Sequence, residues 1–218
     1  MKKFITQNLR SISNAVKSYA SLGACVAFFL FSFNSFSAEK NFESHKVELE
    51  QIENYLNGIK NLSAKFTQET SDGSFVDGKF FLSRPGKMRV EYLAKPKIVI
   101  VVNGSILSYF DVELDEVSRL STNTTPASFL TRDKISFFAK DVELTDVKKS
   151  ANQIKVSVMK KNRKEAGEFS LVFSTNPLRF IKMEVKNDLD QVIDVVLSDT
   201  DFTSPISDKM FVVKKSSN

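Results

Sequence analysis

Very few side chains in this 218-residue sequence are suited to covalent or metal chemistry, and none is arranged for it. Acyl transfer needs a nucleophile beside a base, a zinc site needs clustered His, Cys and carboxylates, and phosphate chemistry needs a Gly-rich loop. There is one histidine, His45, and one cysteine, Cys25. His45 stands just before a helix-like segment and reads as a solvent-facing linker residue. No serine sits in a Gly-x-Ser-x-Gly frame. Asp111, Glu113, Asp115 and Glu116 gather four carboxylates, but without the glycine and terminal glutamate spacing of a calcium loop they read as a solvated turn. No catalytic residue, metal site or cofactor is therefore assigned, and an enzyme is not expected.

The chemistry that remains is apolar contact. The chain carries twenty phenylalanines and no tryptophan, and six of the phenylalanines lie before residue 39. Phenylalanine supplies large apolar area with no hydrogen-bond demand, and methionine is an adaptable filler. Phe66, Phe80, Leu82, Met88, Val90 and Tyr92 fall on one side of successive alternating segments, and Phe129 and Leu130 share one turn further on. An ordinary core and a lined apolar pocket both fit this pattern.

The elements that must position these residues begin after an export leader. Lys2, Lys3, Arg10 and Lys17 form a basic stretch before the apolar run Ala20 to Phe36, which ends in small residues near Ser37 and Ala38, the layout of a signal peptide over residues 1–38. Leu22-Gly23-Ala24-Cys25 superficially resembles an acylation motif, but the most apolar residues follow Cys25 instead of preceding it. Cleavage removes the sole cysteine, so residues 39–218 form one domain that needs its own core without a disulfide. Loss of the four leader cations takes the formal charge from +5 to +1. The basic balance belongs to the leader, and a nucleic-acid partner is not implied.

Lys46 to Lys60 places Leu49, Ile52, Leu56 and Ile59 at helical spacing, with Ser44 as the expected cap. The period then changes to two. Strands are expected at Leu62 to Gln68, Val76 to Leu82, Met88 to Tyr92, Ile98 to Val102, Ile106 to Phe110 and Val117 to Leu120. A short helix opens at Thr125-Pro126 and carries Phe129 and Leu130, with a further turn at Ile135 to Phe138. Strands resume at Val142 to Val147, Gln153 to Met159, Gly167 to Ser174, Leu178 to Val185 and Gln191 to Ser198, with a closing strand expected at Phe211 to Val213. The β-branched run at Ile98 to Val102 predicts a strand covered on both faces. The fold class is mainly β with few helices: a strongly curved antiparallel sheet or incomplete β-barrel with a helical lid.

The succession Asn61-Leu62-Ser63-Ala64-Lys65-Phe66-Thr67-Gln68, Gly78-Lys79-Phe80-Phe81-Leu82-Ser83-Arg84-Pro85-Gly86-Lys87-Met88-Arg89, Pro96, Asn103-Gly104-Ser105-Ile106-Leu107 and Thr125-Pro126 resembles the LolA family of outer-membrane lipoprotein carriers. The resemblance implies a periplasmic monomer whose cavity shields lipoprotein acyl chains, taking them from an inner-membrane ABC transporter to an outer-membrane lipoprotein receptor. It also implies a role for Arg84 as a latch that hydrogen-bonds the lid. Met88 stands where prominent members of the family carry an aromatic residue. A second function compatible with the same resemblance is a lipid- or lipoprotein-sensing regulatory domain.

Overall fold

The computed structural model describes residues 42–213 apart from 71–72, 164–165 and 188–190. The leader expected over 1–38 lies outside the described residues. The amphipathic segment forms α1, Lys46–Gly58, and buries Leu49, Ile52 and Leu56. Its N-cap is His45, which makes no side-chain capping bond, in place of the expected Ser44. The helix stops before Lys60 because Ile59 turns extended, which carries the chain straight into the sheet.

Every alternating run except the last becomes a strand, in one antiparallel sheet of eleven. They are β1 Asn61–Thr70, β2 Phe75–Ser83, β3 Lys87–Tyr92, β4 Ile98–Asn103, β5 Ile106–Asp111 and β6 Glu116–Ser121. After α2, Ala127–Leu130, come β7 Val142–Lys149, β8 Gln153–Lys160, β9 Glu168–Thr175, β10 Leu178–Lys186 and β11 Val192–Asp201. The spatial order is β6-β5-β4-β3-β2-β1-β11-β10-β9-β8-β7. Two meanders thus join where the first strand pairs the last, and the sheet stays open with β6 and β7 as its edges.

The closing strand expected at Phe211 to Val213 is absent. Asp208–Phe211 forms a 3-10 turn instead. This segment crosses β3 and β4, whose ladders are already filled by neighbours on both sides, so no backbone edge is there for it to pair with. It is held by side chains: Arg89 Nη1 donates to the Met210 carbonyl (3.0 Å) and Asn103 Nδ2 to that of Phe211 (3.4 Å). β4 is consequently covered on both faces, with Val102 in the inner core and Val101 buried on the outer side near Phe211.

One glycine is required by close approach. Gly78 lies opposite Phe66 on β1 and Tyr92 on β3, and the Phe66 ring crosses above it to meet Tyr92 edge-on at 5.5 Å. A Cβ at position 78 would overlap that ring and the Glu91 carbonyl oxygen. Gly78→Ala is therefore expected to destabilise the fold by about 1–3 kcal/mol, the usual result of overpacking. Urea denaturation checks this, and an unchanged midpoint would contradict the packing described.

Candidate functional site

The inner face of the sheet carries more apolar surface than α1 and α2 cover. α1 packs its Leu49, Ile52 and Leu56 into the core cluster, but α2 is only four residues long. Beside α2 an apolar hollow of about 250 Å³ remains. That exceeds the roughly 150 Å³ apolar cavity known to admit benzene, and it falls short of what two or three long acyl chains fill.

Of the residues predicted from sequence, Phe66, Phe80, Met88, Val90, Tyr92 and Leu130 line this hollow. Leu82 and Phe129 do not. Leu82 is buried in the core cluster, and Phe129 stacks on Phe137 at 5.8 Å on the far side of α2, with the Arg132 guanidinium 5.1 Å from its ring. Sequence reasoning missed the opposite wall, supplied by Phe169, Met183, Val185 and Val195 from β9, β10 and β11. Those strands show the same alternation, which is the signal that would have found them.

The wall carries a hydrogen-bonded polar pair among its apolar side chains. The Tyr92 hydroxyl donates to Gln68 Oε1 at 2.7 Å. Burial, with a smaller contribution from Tyr109, pushes the Tyr92 phenol up to about 12.

Arg84, at the end of β2, ties the lid to α1. The residue is only 8 % exposed. Nη1 donates to the Leu56 carbonyl and, at 3.3 Å, to that of Ile59, both at the C-terminal end of α1. Nε donates to the Arg132 carbonyl at 3.1 Å, and Nη2 to the Asp133 carbonyl at 2.9 Å and to Asn57 Oδ1 at 3.2 Å. Cations are stabilised where helix carbonyls end, and charge-assisted bonds are the strong ones. Burial pushes the guanidinium pKa down and nearby Asp133 pushes it the other way.

Two further residues of α1 complete the clasp. Asn57 bonds both backbone groups of Ile135, accepting from its N–H at 2.8 Å and donating to its carbonyl at 2.9 Å. Glu53 Oε1 accepts from the Phe137 N–H at 2.6 Å and from Ser136 Oγ at 3.1 Å. Glu53 and Asn57 lie four residues apart, flanking the apolar stripe of α1, so their spacing placed them on one face without revealing that a loop lies against it. On the other side of the lid, Arg132 Nη2 pairs with Asp141 Oδ2 at 3.1 Å and Lys160 Nζ donates to the Asn123 carbonyl at 3.0 Å.

An open antiparallel sheet that leaves an apolar hollow beneath a clasped helical cover defines a protein built to hold an apolar ligand. Its lineage agrees. The chain belongs to the LolA family: residues 57–214 match the family model for the outer membrane lipoprotein carrier protein LolA. It is 28% identical over 188 residues to an outer-membrane lipoprotein carrier protein of Coxiella burnetii, spanning 76% of this chain and 82% of the relative. It is 25% identical over 178 residues to an uncharacterised protein of Rickettsia prowazekii, covering 82% of each. Among solved structures, a LolA superfamily protein from Nitrosomonas europaea aligns with a TM-score of 0.44 at 12% identity, over 76% of this chain and 97% of that one.

Two measurements check this geometry. Asn57→Ala leaves both backbone groups of Ile135 without their side-chain partner, so amide exchange across 133–137 should speed up while the sheet stays protected. A cost of about 1–3 kcal/mol to lid closure is expected. Secondly, the Tyr92 phenol titrates higher folded than unfolded, so the stability it contributes is intact below about pH 10 and falls as pH rises towards about 12. Absorbance titration of the native protein should show a late-ionising tyrosine near 12 that Tyr92→Phe removes.

Proposed function

We propose that this protein is a periplasmic carrier that binds lipoprotein acyl chains in its lidded hollow and delivers them from the inner to the outer membrane. The observation that carries this reading is the pairing of an apolar hollow with a cover whose buried Ala127, Leu130, Ile135 and Phe137 are reinforced by directional hydrogen bonds to α1 and Arg84. Each methylene left in water costs about 0.8 kcal/mol, and an acyl chain has on the order of fifteen, so free diffusion of a lipoprotein is prohibitive. The expected donor is an inner-membrane ABC transporter and the expected acceptor an outer-membrane lipoprotein receptor, with export directed by the leader over 1–38 and the carrier working as a monomer.

The clasp supplies a reason for release. The hollow, about 250 Å³ and partly open, is smaller than a full set of acyl chains, so loading displaces the lid and breaks the bonds that Arg84 makes to the Leu56, Ile59, Arg132 and Asp133 carbonyls. Those bonds re-form only when cargo leaves. They therefore favour the empty, closed state and offset part of the apolar gain from holding cargo. A charge-assisted set of this kind contributes about 1.5–3 kcal/mol.

Arg84→Leu should consequently fold, bind lipoprotein at least as tightly as the parent, and pass it on about tenfold or more slowly. Release from inner-membrane vesicles followed by transfer to receptor-bearing vesicles measures each step. Normal transfer by the variant would reject the latch. Failure of the parent protein to take up lipoprotein at all, together with capture of a periplasmic anti-sigma-factor domain, would favour the sensing role instead.

A further inference from the structure

The inner face of β1 runs Leu62, Ala64, Phe66 and then Gln68, so an apolar row ends in an amide. Gln68 lies on the wall of the hollow towards the end of β1 remote from Arg84, next to Tyr92, the last residue of β3. Its carbonyl oxygen is taken by the Tyr92 hydroxyl at 2.7 Å, which holds the amide in one orientation. Its amide nitrogen, with two N–H donors, makes no hydrogen bond among the described residues, and Thr125 beside the hollow spends its hydroxyl on the Thr122 carbonyl. A donor positioned this way on an otherwise apolar wall suits an acceptor that arrives with the ligand.

We infer that Gln68, oriented by Tyr92, is a polar subsite for the ester or amide carbonyl that joins an acyl chain to the molecule carrying it. The inference rests on the carrier reading and adds a registration point to it. Hydrocarbon contacts along the hollow are non-directional and leave the depth of a chain unset. A carbonyl drawn into an apolar site without a donor is penalised, so a single N–H at the right depth sets where the chain stops. The Phe66 ring fixes the place of Tyr92 by its edge-on contact at 5.5 Å, and the need for glycine at position 78 follows from the same arrangement. Tyr92 is thus a positioning residue and Gln68 the contact.

The test compares two fluorescent peptides that differ only at the linkage, one bearing an S-(2,3-dipalmitoyloxypropyl)cysteine and the other its dihexadecyl ether counterpart. The ether is the more apolar of the two, so a hollow that read hydrocarbon alone would bind it as well or better. The parent protein should bind the ester about three- to tenfold more tightly by fluorescence anisotropy. Gln68→Met, which matches the side chain in length but has no N–H, should reduce that preference to within twofold. Gln68→Glu keeps the shape and the bond from Tyr92 while replacing the donor by an acceptor, so it should lose the preference too, with thermal melts confirming the fold. Retention of the ester preference in both variants would overturn the subsite, as would its absence in a parent protein that binds both peptides. That second result would leave the carrier reading standing, whereas binding of neither peptide would remove both.

Discussion

The rest of the structure depends on a sheet that curls but cannot close. Pairing of β1 with β11 uses the first and last strands in the centre, which leaves β6 and β7, joined by the segment 122–141, as the two edges. That segment must cross the opening, and in doing so it becomes the lid. Because it contains only the four-residue α2 and short turns, it covers the inner face without filling it. The hollow follows from topology. Its apolar lining follows from strand alternation, which turns Phe66, Phe80 and Val90 to the same side as Met183 and Val195.

The cover is joined to the rest of the molecule in two ways. Ile135 and Phe137 anchor the lid loop by burial, but the directional contacts are polar: Arg84, Asn57 and Glu53 meet backbone groups of 132–137. Arg84 makes all its hydrogen bonds to neutral oxygens, with Asp133 near enough to act only through its charge. A buried cation satisfied by carbonyls is stable while every bond holds and costly once some are lost, which favours two distinct lid states over gradual loosening.

Much of this was legible in the sequence because period two and period 3.6 report which face a residue occupies. All eleven internal strands, α1 and the Thr125-Pro126 helix start follow from that signal. Depth did not follow from it: Leu82 and Phe129 have the right face and the right chemistry, yet the first sits in the solid core and the second behind α2. Contacts between distant segments were equally hidden. Nothing local marks Glu53 or Asn57 as partners of a loop some eighty residues later, and Phe211 reads as strand until the sheet's occupied ladders are known. Gln68 was visible as the end of an alternation, but its free donor became visible only with Tyr92 placed beside it.

The most direct measurement is native mass spectrometry of the full-length protein expressed in a Gram-negative cell and purified without detergent. A fraction carrying the added mass of acylated peptide or lipoprotein is expected, lost when the hollow is blocked by Val90→Trp in a protein that still folds. A uniformly bare protein that also fails to take up a diacylated peptide at micromolar concentration would contradict the carrier reading.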